Sequence, residues 1–464
     1  MRVDSARLSE IKETVMIDAS RRRFLGTSAL LSVGGAVSLG ASSATASTRL
    51  QAPTSAGFDA KVEDDLRRYV DFGIKQAGGE GDNACGEWMA AELTAAGYAV
   101  ERQYYDVPYF EATAAELTMG EARAALYPQP IVISTGPQGV SGPLVRVDAR
   151  GAYAGSLEGA IALVDLPFGR WSTMIIPAAR RPVEAAFAAG ARAVVAITNG
   201  PTGKVIALNA DGRKPMFSGP VALLAPEDAG AFLTGTVTRQ EARLTLDGAG
   251  GHRPAFNFVG RVDRGKGRWL AVSTPRSGWF TCAAERGGGV AAWLALARWR
   301  AGRRRACPDH DLAFVCNTGH EYEYLGASEA MKKIAPPPAD TRFWLHLGAN
   351  FAARDWHELP GYLEPLPSVD SQRYLSISPE FLPLARSLFA GQPGHEAPVS
   401  SAVMTAGELD EVVRAGYAPA AGTFGIHRYH HVAEDDARCI DVAATRTGAE
   451  GFRRLIEAVL ATSA

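Results

Sequence analysis

Trp269-Leu270-Ala271-Val272-Ser273 leads into the turn Cys282-Ala283-Ala284-Glu285-Arg286-Gly287-Gly288-Gly289, and the apolar run Val290 to Trp299 follows. A short apolar run bounded by turn residues reads as a buried strand, and the longer run as a helix. The unit recurs downstream. Leu312 to Cys316 and Phe343 to Leu347 read as strands, and Leu325 to Ile334 and Val442 to Leu460 as helices. Strands separated by helices imply an α/β fold, a mostly parallel sheet flanked by helices on both faces. Chemistry in such sheets collects just beyond the carboxyl ends of the strands. Thr274 to Arg276, Thr318 to Glu323 and Gly348 to Phe351 therefore border one expected crevice.

Toward the N-terminus, Val62, Leu66, Val70 and Ile74 recur every four residues, as in an amphipathic helix over Phe58 to Ile74. A second helix is expected over Ala84 to Ala96, closed by Gly97, and then a strand over Ala99 to Tyr105. From about Thr113 to Leu246 the texture changes to short Val, Ile and Leu runs broken by Gly and Pro. Ala160 to Val164, Ala193 to Ile197 and Pro220 to Leu224 read as strands there, and Pro182 to Ala189 as a helix. This looks like a β-rich domain inserted into a larger one, with Gly248-Ala249-Gly250-Gly251 as the linker out of it. The expected organisation is a signal over 1–46, the first part of the main domain over 47–112, the insertion over 113–250, and the remainder over 251–464.

The signal is read from Ser20-Arg21-Arg22-Arg23-Phe24-Leu25, a moderately apolar segment from Gly26 to Gly40, and the small-residue stop Ala44-Thr45-Ala46. That order describes an export signal cleaved before Ser47. Paired arginines point to the twin-arginine route, whose export machinery is then a partner. The apolar stretch is shorter than the roughly 20 residues that span a bilayer. The expected product is periplasmic or secreted and carries no stable membrane anchor. Hydrophobic residues make up 47% of the chain and charged residues 21%, with a formal net charge of -2. This is globular composition without the basic field that nucleic acid or an anionic membrane requires. Cys85, Cys282, Cys307, Cys316 and Cys439 form no metal-binding or disulfide pattern and read as mostly buried thiols.

At the strand ends stand Glu285, His320, Glu321 and Glu323. His346 lies within an apolar strand, and Arg428-Tyr429-His430-His431 precedes Glu434-Asp435-Asp436. Carboxylates and imidazoles converging from several loops can hold zinc if one position stays open for water. His346 fits a satisfied core histidine as well as a ligand. Glu434 to Asp436 fits a helix N-terminus equally well, since acids are favoured there. Glu408 is a further carboxylate ahead of the last strand. Trp356 to Tyr374, rich in Pro, Trp, Tyr and Leu, reads as a loop bordering the crevice.

Order and spacing add a resemblance. The mature chain is similar to metallopeptidase family 28, which comprises zinc aminopeptidases, glutamate carboxypeptidase and glutaminyl cyclase. The resemblance rests on Asn257-Phe258-Val259-Gly260, on Cys282 to Gly289 with the helix after it, on Gly319-His320-Glu321 with Leu325-Gly326-Ala327-Ser328, and on His431 with Asp435. It implies a zinc-exopeptidase fold, a protease-associated domain as the insertion, and hydrolysis of a peptide or small amide substrate. The departures are informative. Thr274 and Arg276 stand where the family has a histidine and an aspartate, Glu285 replaces the bridging aspartate, and His320 replaces the catalytic glutamate. Leu345 or His346 stands where another aspartate is expected. These changes argue against a dinuclear site.

Two main readings result. In the first, Glu285, Glu321 and His431 hold a single zinc, the set that resemblance to glutaminyl cyclases implies. His320 then acts as general base, and Arg276, Trp279 and Tyr429 bind substrate, with Arg276 also steadying an oxyanion. In the second, no metal is bound, and Arg276, Glu285, Glu321 and His431 form a buried polar network in a protein that binds a peptide or small ligand without cleaving it. Serine or cysteine catalysis by Ser277 or Cys282 near His320 ranks last, because there is no Gly-x-Ser-x-Gly elbow.

Overall fold

The computed structural model describes residues 57–302 and 310–462. The expected export segment and Cys307 lie outside them. The strands are β1 (Ala99–Met119), β2 (Ala122–Pro128), β3 (Val140–Val147), β4 (Ile161–Asp165), β5 (Ala193–Ile197), β6 (Val221–Leu224), β7 (Glu241–Val262), β8 (Trp269–Pro275), β9 (Asp311–Asn317), β10 (Thr341–Leu347), β11 (Arg354–Leu359), β12 (Tyr362–Val369), β13 (Arg373–Ile377), β14 (Val399–Ser400) and β15 (Ala420–Gly425). The helices are α1 (Val62–Asp71), α2 (Glu80–Ala95), α3 (Pro177–Ala188), α4 (Gly230–Val237), α5 (Ala283–Gly302), α6 (Leu325–Lys333), α7 (Leu382–Leu388), α8 (Leu409–Arg414) and α9 (Val442–Thr462).

Alternate residues of the central strands face two different apolar layers, as the two-residue period of a strand requires. Leu270 and Val272 of β8 pack with Leu312 and Phe314 of β9, Phe343 and Leu345 of β10, Met89 of α2, Trp293 of α5 and Phe452 of α9. The residues between them, Ala271, Ala313 and Trp344, join Ala330 of α6 and Leu409 and Val412 of α8 on the other face. The sheet order is β1-β2-β6-β5-β4-β3-β7-β9-β8-β10-β15-β13-β14, and β9, β8, β10 and β15 run parallel at its functional end. The mixed sheet flanked by helices is the expected α/β architecture.

Two stretches differ from the sequence expectation. Gly248 to Gly251 is strand, not linker: these residues pair with Ala112 to Tyr109 in the long β1–β7 ribbon. A Cβ on Gly248 would lie 2.2 Å from the Glu111 carbonyl oxygen. Close strand approach therefore explains the glycine, a signal that composition cannot tell from a flexible link. Trp356 to Tyr374 is no loop either, but the β11–β12 hairpin and the start of β13. Its prolines had hidden the strand pattern. Between β1 and β7, strands β3 to β6 pair in parallel, and two separate apolar clusters serve this part of the sheet. Cys85, Cys282, Cys316 and Cys439 are free and buried. No helix among the described residues is long and apolar enough to cross a membrane.

Arg276 corrects a further expectation. Its side chain is 0% exposed and turns away from the strand-end loops toward α2. Its Nε lies 3.0 Å from Asp82 Oδ1, its Nη2 donates to the Phe256 carbonyl at 2.8 Å, and the guanidinium lies over the Phe256 ring. Burial works against its charge, yet Asp82 and its other neighbours hold it above the ordinary arginine range. It is a buried structural ion pair, out of reach of substrate. Removing one partner of such a pair strands the other charge, at a cost of about 3–5 kcal/mol. Asp82→Ala is therefore expected to lower stability in urea denaturation by about that amount. A change within about 0.5 kcal/mol, ordinary for a surface site, would contradict this role.

Candidate active site

The carboxyl ends of β8, β9, β10 and β15 deliver the chemistry. Glu285 occupies the first turn of α5, held there by a carboxylate distant in sequence. Asp435 Oδ1 accepts from Ala284 N at 2.9 Å, and Oδ2 accepts from Glu285 N at 3.0 Å. Side-chain capping satisfies N–H groups that a helix start leaves free, and a negative charge is favoured there. His320 and Glu321 form a single 3-10 turn after β9. His431 follows β15 with φ 59, and its Nδ1 lies 2.8 Å from the Ala207 carbonyl. A carbonyl only accepts, so the Nδ1 proton is fixed there, and Nε2 of the neutral ring keeps its lone pair.

Glu285, His320 and His431, all buried, converge so that one donor atom from each lies within 4.8 Å of the others. His431 Nε2 stands 3.3 Å from Glu285 Oε1. His431 Nε2 and His320 Nδ1 are buried without a hydrogen-bond partner, whereas Glu285 Oε1 is met by Arg286 Nη2 at 2.7 Å. A lone pair facing a carboxylate oxygen in a buried site calls for a proton or a cation between them. Two histidines and a glutamate form a known catalytic zinc set, and the bond from His431 to a carbonyl is the orienting contact such ligands use. The residues present therefore fit one zinc ion.

This set differs from the expected one by a single member. Glu321 is not in it: Oε1 accepts from Ala77 N at 2.9 Å and Oε2 from Ser277 Oγ at 2.8 Å. Burial pushes its carboxyl up to about 7. His320, expected to be the base, takes its place beside Glu285 and His431. Burial, and next the positive charge of Arg286, holds His320 well below the ordinary imidazole range. Thr274 donates to the Leu347 carbonyl at 2.8 Å and offers no ligand. Trp279 donates to Asn209 Oδ1 at 2.8 Å, while Tyr429 packs on Trp356 with ring centres 4.9 Å apart. His430 stacks on His431 at 3.9 Å. Cys282 contacts the Tyr69 hydroxyl, and burial pushes its thiol up to about 12, so it is no thiolate nucleophile.

Sequence reasoning missed Arg286 and underrated Glu408. Arg286 Nη2 lies 2.7 Å from Glu285 Oε1, and its Nε donates to the Ser277 carbonyl. Burial would raise the Glu285 carboxyl, but Arg286 and then His431 outweigh it and hold it well below the ordinary range. Arg286 thus supplies the positive charge that Arg276 was expected to bring. Glu408, just ahead of α8, accepts from Asn317 Nδ2 at 2.7 Å and lies 3.5 Å from His320 Nδ1 and 3.8 Å from His346 Nε2. His346 in turn lies 3.0 Å from Ser273 Oγ, so it is neither an isolated core histidine nor a member of the three-residue group. Backbone strain gathers around the site. Cys282, Glu323, Tyr324 and Asn350 share positive φ with His431, a conformation that persists for such residues only where packing enforces it.

Solved structures share this architecture. The chain is similar to a peptidase M28 precursor from Shewanella amazonensis, with TM-score 0.68 and 18% identity over 87% of this chain and 95% of that one. It is similar to a zinc aminopeptidase from Bacillus subtilis, with TM-score 0.65 and 17% identity over 86% and 94%. An aminopeptidase from Aneurinibacillus sp. strain AM-1 aligns with TM-score 0.57 and 15% identity over 85% and 93%. No protein-family model and no curated protein sequence matches the chain. The likeness is one of fold, that of the M28 zinc exopeptidases.

Glu408 makes the site's protonation testable. Burial pushes its carboxyl up to about 8. A carboxyl raised above its unfolded value of about 4.3 binds a proton on folding, so stability falls as pH rises between the two values. Glu321 titrates near 7 and Glu408 near 8, so both are still losing protons over the unit from 7 to 8. Across that last unit the metal-free chain should lose stability, and Glu408→Gln should lose up to ~1.4 kcal/mol less. Urea melts on both proteins measure this, and parallel slopes would place the proton elsewhere.

Proposed function

We propose that this fold, shared with the M28 zinc exopeptidases, serves in an exported hydrolase of peptide or other amide bonds that works with one zinc ion. The observation that carries the reading is the convergence of Glu285, His320 and His431 within 4.8 Å, with His431 Nε2 buried and free of any hydrogen bond. When bound, the ion supplies Lewis acidity, polarising an amide carbonyl and easing deprotonation of water. The chain's own groups prepare for it. The Ala207 carbonyl keeps the proton of His431 on Nδ1, leaving Nε2 toward the ion. Asp435 holds the helix turn that carries Glu285, and Glu408 faces His320 Nδ1. Glu408 stands beside His320, placed to give or accept a proton in general acid–base catalysis.

Arg286 sets the count. Its guanidinium lies on Oε1, the Glu285 oxygen that also faces His431, and offsets the negative charge that two ions would need. One zinc suits the charge balance better than two. The similar structures are zinc aminopeptidases, so aminoacyl amides and short peptides are the first substrates to test. Export is read from the Arg21-Arg22 segment, with Ser47 as the start of the mature protein. Residues 113–250 are taken as the protease-associated insertion, which in this reading closes the site.

One observation favours a second reading. The ion pair between Arg286 and Glu285 neutralises the carboxylate without any metal. The site would then hold a ligand without cleaving it. Metal analysis of the mature chain, purified without chelator or metal-affinity steps, separates the two. About one zinc per chain is expected. It should be lost in Glu285→Gln, His320→Ala and His431→Ala and kept in Glu321→Gln. Loss in Glu321→Gln with retention in His320→Ala would restore the other ligand set. No zinc, and none taken up on addition, would leave the binding protein.

A further inference from the structure

Beside the candidate site lies a cavity of about 320 Å³, opening past the exposed Ile74 and walled by Tyr127, Trp279, Phe280 and Tyr322. Its inner walls ride on the loops that carry the polar site. Trp279 follows Ser277, and Tyr322 closes the turn that begins with His320. Gln76, which also lines it, precedes Ala77, whose N–H holds Glu321. Ala207, whose carbonyl takes the His431 proton, packs in one apolar cluster with Trp279 and Tyr322. Wall residues of the cavity thus pack against the residue that orients His431.

The lining selects the occupant. No Asp, Glu, Lys or Arg lines the cavity among the described residues, so a charged group there would be buried without a partner. The rings are set at angles, with Tyr127 5.3 Å from Phe280 and 6.0 Å from Trp279, and Trp279 6.2 Å from Tyr322. An aromatic or branched aliphatic group finds ring edges and faces there. The volume lies at the lower end of ligand cavities, about 300–1,000 Å³, which suits one large side chain better than a length of peptide. The outer wall is strained. Ile131, between Pro130 and Val132, has φ 53, an outlier for a β-branched residue. Strain of this kind concentrates at ligand clamps and switch regions.

We propose that this cavity binds one large apolar, preferentially aromatic, side chain of the substrate, clamped between Trp279 and the Pro130-Ile131-Val132 wall. Its part in substrate selection rests on the amide-hydrolase reading, whereas the binding itself does not. The test titrates the full mature chain with N-acetyl-L-phenylalaninamide and N-acetylglycinamide, following tryptophan fluorescence and calorimetry. The phenylalanine amide should bind saturably and at least about tenfold more tightly, the scale expected for burying one aromatic side chain. Val132→Trp fills the cavity and should erase that preference. Ile74→Trp, at the exposed rim, should weaken it severalfold and carries the test if Val132→Trp does not fold. Equal affinity for the two amides, or a preference that neither folded variant alters, overturns the proposal. Binding is measured with and without zinc. A preference that survives in a chain binding no metal would refute the hydrolase reading and leave the cavity standing.

Discussion

Two N–H groups at the start of α5 end on one carboxylate, Asp435, and this contact assembles the site. Glu285 rides on the first turn of α5, whereas His431 belongs to a loop some 150 residues later in the chain. Without the cap, nothing local requires the two to meet. With it, three residues of loop separate the anchored Asp435 from His431, and His431 Nε2 comes within 3.3 Å of Glu285 Oε1. The spacing of His431 and Asp435 is thus a helix-capping device as much as a pair of polar residues. The site geometry inherits its precision from the helix-start N–H groups that hold the Asp435 carboxylate.

Charge then decides what the site can hold. Glu285 is buried and ionised because Arg286 lies at 2.7 Å, and His320 and His346 are kept neutral by burial and by the same guanidinium. A buried cation beside neutral histidines leaves lone pairs pointing inward, the state in which imidazole binds metal. Arg276, ten positions earlier in the sequence as the chain leaves β8, performs no such service. It is paired with Asp82 and covered by Phe256, and it fixes α2 to the sheet. Two arginines near one crevice have opposite duties because one faces the site and the other faces the core.

Much of the fold was legible because β8, β9 and β10 alternate between two apolar layers and their helices carry long apolar faces. The residues that converge at the strand ends were legible for the same reason, since position after a strand is a property of sequence. Their partners were not. His320 and Glu321 are adjacent in sequence, and which of them faces Glu285 depends on a single turn of backbone. That turn is set by Ala77 N and Ser277 Oγ capturing Glu321, contacts of long sequence separation that no spacing rule encodes. Arg286 sat unnoticed inside a glycine-rich motif, where a charged residue ordinarily means a solvated turn. Gly248 to Gly251 misled in the opposite direction, because glycine marks close approach and flexibility alike.

The segment between β1 and β7 belongs to this chemistry, since part of it closes over the candidate ligands. Ala207 supplies the carbonyl that fixes the His431 tautomer, Ala210 N donates to the Glu321 carbonyl, and Asn209 takes the Trp279 indole proton. Ser172 and Thr173 reach His430 and Glu323 from the same side. The candidate ligands are buried beneath these contacts, so in the proposed hydrolase a substrate would reach them only if some of the contacts yielded. Backbone hydrogen bonds that orient a ligand and also seal the site couple entry to ligand geometry. In the proposed hydrolase, loss of the Ala207 contact would free the His431 ring to turn, and its return would fix the tautomer that presents Nε2. An enzyme arranged in this way would complete its metal site only when closed, which makes the cover part of the active site and not a lid laid over it.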